Sequence, residues 1–309
     1  MQGDRTTAMN IVILGAGAIG SLFGALLSKK NNVLLIGRTP HIQAITENGL
    51  MITGKTKMTV KIPAEDSIKK VTFSPDLLIL TVKSYDTEAA IKEAKSIIDD
   101  STIVLSLQNG LDNIDKIEKI VSRERIVVGV TTQGVFFSRP GVIRHTGKGH
   151  TILGELGGKK TGRIKNIARI FNEVGTDTKI SSDIIREIWV KAIINSSINP
   201  LTTIFQCKNG YLLENPLLKN IVEKICREST LIADKEGIHL SFQGMCKKTK
   251  QVIQNTAENY SSMFQSFKRG RKTEIDSING KIVDMGKRHG IETSMNEILV
   301  YLIKSVSWQ

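Results

Sequence analysis

Cysteine is scarce in this sequence, and its placement excludes two classes of protein. The three cysteines, Cys207, Cys226 and Cys246, are odd in number and widely spaced. They therefore form neither a disulfide framework nor the paired motif of a metal-binding domain. We predict three free thiols buried in helical segments, which is typical of a protein in a reducing cytoplasm.

Long hydrophobic runs are also missing. No apolar stretch approaches the ~20 residues that a membrane-spanning helix requires. The leading segment "MQGDRTTAMN" lacks the hydrophobic stretch of a signal peptide, and we expect residues 1–8 to form an extension before the first strand. These features predict a cytoplasmic protein with no membrane partner.

Acidic residues are in the minority. The 309 residues include 30 Asp and Glu against 43 Lys and Arg, which gives a formal net charge of +13. Such basicity raises the question of a nucleic-acid partner. The basic residues are nevertheless spread along the chain, and only 246–250 and 268–272 form short clusters. We therefore predict an anionic small molecule or a nucleotide cofactor as the partner, and no nucleic acid.

The first half of the chain alternates between branched apolar runs and helical patterns. This alternation predicts a mainly parallel sheet with helices on both of its faces. Glycine turns predict two hairpins, one at 49–66 and one at 142–155, and Gly175 is expected to end a helix. The runs predicted as strands are 10–14, 31–38, 77–84, 101–110 and 125–137.

From about residue 181 onward, strand patterns give way to amphipathic helical patterns. The length of the chain suits two domains of ordinary size, and the second should be all helical. The clearest predicted helices are 183–206, 216–237, 242–256, 272–289 and 294–307.

A glycine-rich turn joins the first predicted strand to a helix. In "GAGAIG", Gly15 suits the tight turn, Gly17 allows the backbone to approach a pyrophosphate, and Gly20 permits close packing of helix on strand. We therefore predict an α/β fold, with a Rossmann-type dinucleotide-binding domain at 9–181 followed by an all-helical domain at 182–309. The predicted cofactor contacts are Gly15, Ala16, Gly17, Ala18, Ile19 and Gly20.

The end of the second predicted strand indicates which dinucleotide binds. Chains that bind NAD place an acidic residue there, against the ribose hydroxyls. This sequence has Arg38 in "LLIGRTPH" and no acid. An arginine suits the 2′-phosphate of NADP(H), which is the cofactor we predict, although a solvated loop cation would look the same.

Two later strands end in loops that could reach a ligand, because open α/β sheets bind ligands beyond the carboxyl ends of their strands. One loop carries Lys83, and the other carries Gln108, Asn109 and Gly110. Asn-Gly also favours a turn, and a lysine after a strand can simply face solvent. Both interpretations stay open on the pattern alone.

The segment "REIWVKAIINSSINPLTTIF" (186–205) combines a dense apolar pattern with a polar line. Lys191, Asn195 and Asn199 recur at every fourth position, so on a helix they share one narrow stripe. A buried lysine must be paired or must titrate. Pro200 is expected to kink or end the helix there. The alternative is a stripe that faces solvent.

A lysine that faces a carbonyl can stabilise and protonate the alkoxide formed by hydride addition. The segment 260–280 offers groups that could orient the substrate, namely Ser262, Glu274 and Asp276. Glu274 could instead be a first-turn carboxylate that favours the helix dipole. The residues thus favour a reductase without excluding a purely structural glutamate.

Taken together, these motifs resemble those of ketopantoate reductase (2-dehydropantoate 2-reductase). The resemblance runs from about Asn10 to Ser307. The segments that carry it are "GAGAIGSLFGALL", "TVKSYDT", "LQNGLDN", "WVKAIINSSINPLTTIFQCKNG" and "SSMFQSFKRGRKTEIDSINGKIV". The resemblance implies NADPH-dependent reduction of 2-dehydropantoate to pantoate, on the way to pantothenate and coenzyme A, by a protein that is typically a homodimer.

The resemblance also implies roles for individual residues. Lys191 would be the general acid and Glu274 the carboxylate that orients the substrate. On the cofactor side it implies Lys83 and Asn109 near the nicotinamide and Arg38 at the 2′-phosphate. The implied substrate-binding residues are Asn195, Asn199, Asn209 and Ser262.

Two other functions stay open. A relative of the family could reduce a different short 2-oxo acid, or act on a 3-hydroxy acid. A protein that only senses NADP(H), or that binds nucleic acid, could keep the dinucleotide fold. The presence of both Lys191 and Glu274 argues against such a protein.

Overall fold

The computed structural model of the chain describes residues 8–306. They form two compact units, of which unit 1 comprises residues 8–108 and 113–184, and unit 2 comprises residues 109–112 and 185–306. The domain boundary between residues 181 and 182 remains a prediction. The predicted extension at residues 1–8 lies, apart from Ala8, outside the described residues.

Unit 1 contains two sheets. Their strands are β1 Asn10–Leu14, β2 Asn32–Ile36, β3 Leu50–Gly54, β4 Met58–Val60, β5 Ala64–Glu65, β6 Leu77–Leu80, β7 Ile103–Ser106, β8 Ile126–Thr131, β9 Gly134–Arg139, β10 Val142–Gly147, β11 His150–Glu155 and β12 Asp177–Ile180. The larger sheet has the order β5-β2-β1-β6-β7-β8-β11-β12. All its neighbouring pairs are parallel except β8 with β11. The predicted mainly parallel sheet is confirmed.

The central strands of this sheet are apolar along their whole length. The four residues of β6 are fully buried, as are Ile11, Val12 and Ile13 of β1. A strand that is covered on both faces shows a continuous apolar run rather than alternation. The carboxyl ends of β1, β2, β6 and β7 are where the predicted cofactor loops begin.

The smaller sheet, of order β4-β3-β10-β9, corrects two predictions. The hairpin within 49–66 is confirmed as β3 and β4, which pair antiparallel. The hairpin predicted at 142–155 is wrong, because β10 pairs with β3 and β9 while β11 pairs with β8 and β12. The run 125–137 is likewise two strands in different sheets. The chain passes so closely here that a side chain at Gly149 would overlap the backbone of Thr132.

Five helices complete unit 1. They are α1 Ala18–Leu27, α2 Thr39–Asn48, α3 Thr87–Ala94, α4 Asn113–Glu118 and α5 Gly162–Glu173. The helix predicted to end at Gly175 is α5, and Gly175 adopts the left-handed conformation (φ +86°) that favours glycine after a helix. Phe23 of α1 and Phe171 of α5 stack in the core of this unit, with ring centroids 5.3 Å apart.

Helices are the only regular secondary structure among the described residues of unit 2, as predicted. Its helices are α6 Ile184–Ile204, α7 Tyr211–Glu214, α8 Pro216–Lys235, α9 Phe242–Asn255, α10 Ser262–Phe267, α11 Lys281–Arg288 and α12 Ser294–Val306, with a π-helical turn at Asp276–Gly280. The sequence missed α7, α10 and the π-helical turn. Within residues 8–306, no helix is both long and apolar enough to cross a membrane.

The cysteines differ in placement. Cys226 and Cys246 are buried in helices α8 and α9, as predicted, and burial raises the pKa of the Cys226 thiol to about 12. Cys207 contradicts the prediction, because it follows the end of α6 and is only half-buried.

A buried histidine links helices α1 and α2 to the turn before β10. His41 of α2 accepts a hydrogen bond at Nδ1 from the Gly141 backbone N–H (2.9 Å), at the turn that precedes β10. The ring is therefore the neutral tautomer that carries its proton on Nε2, and it donates to the Ser21 hydroxyl on α1 (3.0 Å). Burial lowers the pKa of His41 from 6.5 to about 4.

This histidine predicts a pH dependence of stability. The unfolded chain binds a proton at His41 below pH 6.5, whereas the folded chain resists it down to about pH 4. The stabilisation is complete above this window and is lost as the pH falls through it, by about 3 kcal/mol. We expect His41→Gln to have a smaller difference between its free energies of unfolding at about pH 7.5 and about pH 4.5, measured with urea.

The control is Gln43→Ala, which removes an exposed side chain without a titratable group from the same helix and should leave the pH dependence unchanged. Equal pH dependence of the parent and His41→Gln would contradict the assignment.

Candidate active site

The glycine-rich turn after β1 is packed tightly against β6. Gly15 has a φ of +113°, and a side chain there would lie 2.5 Å from the backbone nitrogen of Val82. A side chain at Gly20 would overlap the carbonyl of Gly15. The Thr81 hydroxyl donates to that same carbonyl (2.8 Å). Both positions therefore require glycine, and Thr81 is a positioning residue that the sequence did not single out.

Gly17 differs from these two glycines. It is exposed at the N-cap of α1, and a side chain there would meet no neighbour closer than 3.9 Å. The helix has no side-chain cap and no acidic residue in its first turn. Its first N–H groups and its partial positive charge therefore suit a phosphate. The residues present fit the pyrophosphate of a dinucleotide. In the same segment Ala16 is buried, and Ala18 and Ile19 are half-buried.

Arg38 stands at the end of β2, as the N-cap of α2, and is exposed. Strand β5 pairs with β2 and brings two carboxylates close by, Glu65 and Asp66. Lys70 forms ion pairs with both, at 3.1 Å and 2.8 Å, and lowers the pKa of Asp66. Since these acids are paired with a cation, they oppose a bound phosphate less than free carboxylates would.

Gln108 organises the ends of β6 and β7. Its side-chain amide donates to the Val82 carbonyl (2.9 Å) and to the Thr87 hydroxyl (2.7 Å), and accepts from the Ser106 hydroxyl (3.0 Å). It thereby fixes the loop that carries Lys83, which is half-buried. The sequence left Gln108 among loop residues, because a single glutamine carries no pattern.

Asn109 is half-buried and begins the four-residue segment of unit 2 that follows β7. Gly110 supplies the left-handed conformation of this turn (φ +105°), whereas Asn109 does not adopt a positive φ. A positive φ is therefore not the reason for an asparagine at position 109. Next in the segment, the Leu111 N–H donates to the Ser277 carbonyl (2.9 Å), at the π-helical turn.

Helix α6 has the predicted apolar faces. Trp189, Ile193, Ile194, Ile198 and Leu201 are all buried in the core of unit 2. Lys191 and Asn195 are half-buried and Asn199 is buried, so none of the three polar side chains is fully exposed. Pro200 does not end the helix, contrary to one of the two expected outcomes, since α6 continues to Ile204.

Beyond α6 the chain turns through Gln206, whose φ of +49° is left-handed, and reaches Asn209. The Asn209 N–H donates to the Asn259 carbonyl (3.0 Å), and its amide nitrogen donates to the Thr256 hydroxyl (2.8 Å). Its Oδ1 is buried and accepts no hydrogen bond within residues 8–306. Asn209 is thus held rigidly with an acceptor to spare.

Ser262 is exposed at the start of α10. The preceding residue, Ser261, caps that helix by accepting from the Phe264 N–H (3.2 Å), and it also accepts a hydrogen bond from the Thr202 hydroxyl of α6 (2.8 Å). The hydrogen bond from Thr202 therefore fixes the start of α10, and with it Ser262, against α6.

Glu274 is buried, at 6% exposure, and is engaged with neighbouring groups. It lies two residues before the π-helical turn, and the intervening Ile275 packs with Met263, Val300 and Ile303. A buried carboxylate requires partners, which argues against a solvent-facing first-turn glutamate. All six predicted catalytic and substrate-binding residues thus belong to unit 2, as does Asn109, whereas the other predicted cofactor residues belong to unit 1.

Comparisons with known proteins identify the family of the chain. The family model described as ketopantoate reductase PanE/ApbA matches residues 11–158, and the model of the C-terminal domain of the same family matches residues 183–307. The 2-dehydropantoate 2-reductase of Pyrococcus abyssi is 44% identical, over 96% of this chain and 97% of the relative. That of Archaeoglobus fulgidus is 32% identical over the same shares.

Solved structures show the same fold. A D-mandelate dehydrogenase bound to NADH and anilino(oxo)acetate superposes with a TM-score of 0.92 at 32% identity, covering 97% of this chain and 98% of the other. A PanE/ApbA family ketopantoate reductase from Ralstonia eutropha has a TM-score of 0.89 at 30% identity with the same coverage. The matches span both units, and the chain belongs to the ketopantoate reductase PanE/ApbA family.

Proposed function

We propose that this protein reduces 2-dehydropantoate (ketopantoate) to pantoate with NADPH, as a cytoplasmic enzyme of pantothenate and coenzyme A biosynthesis. The observation that carries the proposal is the line of Lys191, Asn195 and Asn199 on a helix whose other faces are core. The names of the relatives support the substrate. In this proposal, residues 9–181 bind the dinucleotide and residues 182–309 carry the catalytic groups.

The chemistry assigned to the chain is proton transfer and orientation. When bound, reduced nicotinamide would supply the hydride for C2 of the keto acid, and the electron pair of the C=O bond would pass to the carbonyl oxygen. Lys191 holds a proton at Nζ, stabilises the developing alkoxide and protonates it. Glu274 orients the substrate by accepting from its hydroxyl group, and Asn195 and Asn199 hold its polar groups by hydrogen bonds.

Two further positions complete the substrate site. The spare acceptor at Asn209 Oδ1 suits a hydroxyl donor, because a buried acceptor gains most from a partner that replaces lost water. The Ser262 hydroxyl can donate to the carboxylate of the keto acid. Lys83 and Asn109 are assigned to the nicotinamide side, and Gly15–Gly20 to the pyrophosphate.

The first prediction concerns the proton donor. Lys191→Ala should lower kcat for ketopantoate reduction by about 10²–10⁴, because general-acid catalysis by a positioned group contributes that much. The measurement is the loss of NADPH absorbance at saturating substrate. Lys235→Ala removes an exposed lysine of the same unit and should keep the parent kcat. If Lys191→Ala is as active as the parent, the polar line is packing and not catalytic.

The choice of NADPH over NADH rests on Arg38. The exposed guanidinium follows β2 directly, and the carboxylates that β5 brings beside it are paired with Lys70. A bidentate arginine suits a phosphate better than a ribose diol. The NADH bound to the similar D-mandelate dehydrogenase makes the opposite preference the alternative to test.

Arg38→Ala should therefore raise KM for NADPH roughly tenfold, since charge-assisted hydrogen bonds are worth about 1.5–3 kcal/mol and this one is exposed. KM for NADH should change little, because NADH has no 2′-phosphate. Steady-state kinetics with both cofactors give the two values. Lys92→Ala, another exposed cation of unit 1, is the control. An equal rise for both cofactors would remove Arg38 as the determinant.

A second candidate substrate is another 2-oxo acid. The similarity to D-mandelate dehydrogenase favours it, because that structure holds anilino(oxo)acetate in a chain of the same fold. The values of kcat/KM for ketopantoate, 2-oxoisovalerate and the 2-oxo acid that corresponds to mandelate separate the two. A higher value for either of the latter would replace ketopantoate as the proposed substrate.

We also propose a homodimer that forms through helix α12. Ile298, Tyr301, Leu302 and Val306 are exposed on one face of this helix, at spacings of three and four residues. A single apolar face can pair with its own copy across a twofold axis. Its burial would explain a large apolar surface that water otherwise contacts.

Tyr301 is the most exposed of these four, at 58%. Light scattering should give the parent twice the chain mass, and Tyr301→Glu should shift the population toward the monomer, because a charge in an apolar interface is costly. Leu217→Glu, at a leucine of α8 that is 72% exposed, should leave the dimer intact. A monomeric parent would end this proposal.

A further inference from the structure

The π-helical turn at Asp276–Gly280 is bonded to three other parts of unit 2. Its Ser277 carbonyl accepts from the Leu111 N–H, close to Asn109. Its Asp276 carboxylate pairs with Lys304 of α12 (2.6 Å). Its Asn279 side chain reaches α6 and α12. The turn begins two residues after Glu274, so these bonds also fix that glutamate.

The bond from Asn279 to α6 has a specific physical cause. Pro200 lies within α6 and has no N–H, so the carbonyl four residues earlier, at Ser196, loses its helical donor. The Asn279 Nδ2 donates to that same carbonyl, at 3.1 Å. A carboxamide from another segment therefore supplies the hydrogen bond that the proline removes.

The rest of the Asn279 surroundings is also polar and closed to water. Asn279 and Asn296 are both fully buried, and Nδ2 of Asn279 donates to Oδ1 of Asn296 (3.0 Å). Asn296 in turn donates through its amide nitrogen to Glu228 of α8 (2.9 Å), and that carboxylate also accepts the Met295 and Asn296 N–H groups that begin α12. In a site without water, a lost partner is not replaced.

We propose that Asn279 is a positioning residue for the reduction. By completing the hydrogen bonding of α6 at Ser196, it holds the segment of Glu274 at a fixed place against the helix that carries Lys191. This inference rests on the roles proposed above for those two residues. A π-helical turn suits such a task, since π-helical turns often lie at functional sites and this one begins two residues after Glu274.

The test is a double-variant cycle on the whole protein. Asn279→Leu keeps the side-chain size and removes the donor, and we expect kcat to fall roughly 10- to 100-fold, because small misplacements of reacting groups cost that much. KM for NADPH should change little, since Gly15–Gly20 and Arg38 are untouched. Because a loss of folded protein would also lower the apparent kcat without changing KM, kcat is expressed per mole of folded protein, determined by titration with NADPH.

Pro200→Ala provides the second arm. An alanine at this position regains an N–H that can donate to Ser196 within the helix, so the carbonyl no longer depends on Asn279. In the Pro200→Ala background, the loss caused by Asn279→Leu should be several-fold smaller than in the parent, in kcat as well as in the shift of the thermal unfolding midpoint. Losses of equal size in both backgrounds would overturn the proposal.

Thr230→Val is the matched control for stability. It removes one buried hydrogen bond of the same unit, from the Thr230 hydroxyl to the Cys226 carbonyl (2.7 Å), without touching the polar network of Asn279. If Thr230→Val lowers the unfolding midpoint as much as Asn279→Leu and lowers kcat equally, the effect of Asn279 is stability alone and the proposal fails.

The two proposals can fail separately. Coupling between Pro200 and Asn279 in the unfolding midpoint does not need a substrate. A parent that reduces no 2-oxo acid but shows this coupling overturns the proposed function and the positioning role, and leaves only the hydrogen bond. A parent that reduces ketopantoate and shows coupling in the midpoint but none in kcat overturns the positioning role alone.

Discussion

A proline inside a buried helix leaves a carbonyl oxygen that another part of the protein must satisfy, and unit 2 is arranged around that requirement. Ser196 is fully buried, so water does not supply the missing donor to its carbonyl. The donor comes from Asn279, 83 residues later in the chain. Asn296 and Glu228 continue the chain of bonds into α12 and α8. One missing N–H thus links four elements.

The hydroxyl groups of α6, in contrast, find their acceptors within the helix. Ser197 and Thr203 donate to carbonyls four residues earlier in the helix, at 2.8 Å and 2.7 Å. Their polar atoms are satisfied locally and make no demand on neighbouring elements. The three longer polar side chains, Lys191, Asn195 and Asn199, instead project from the helix. The helix therefore separates polar groups that stabilise it from polar groups that can meet a ligand.

In unit 1 the predicted cofactor contact is made by backbone rather than by side chains, at the glycine-rich turn between β1 and α1. Gly15 and Gly20 are glycines because the backbone of the turn meets other chain atoms, whereas Gly17 faces open space. The exposed N–H groups of α1 are left for an anion, without an acidic residue to oppose it. A recognition surface made of backbone is insensitive to the rest of the sequence, which is why a short glycine motif could indicate it.

The sequence predicted those features that are determined by residues close together in the chain. The apolar strands, the glycine turn and the polar line of α6 follow from neighbours a few residues apart, and Gly15, Gly175 and the buried faces of α6 were readable for that reason. The pairing of β10 with β3 joins residues about ninety positions apart, and no local pattern distinguished it from a hairpin with β11. The role of Asn279 could not be predicted for the same reason, since one of its two partners is a backbone carbonyl 83 residues away in the chain.

The proposed site divides into residues assigned to the reaction and residues assigned to substrate preference. The groups assigned to hydride addition at C2 lie on α6 and beside the π-helical turn, where buried bonds hold them whatever the rest of the substrate is. Asn209 and Ser262 lie on separate segments, and Asn209 keeps an unused acceptor. Since the proposed role of Asn209 is to accept from a substrate hydroxyl group, a change at that segment could alter the preferred 2-oxo acid without moving Lys191.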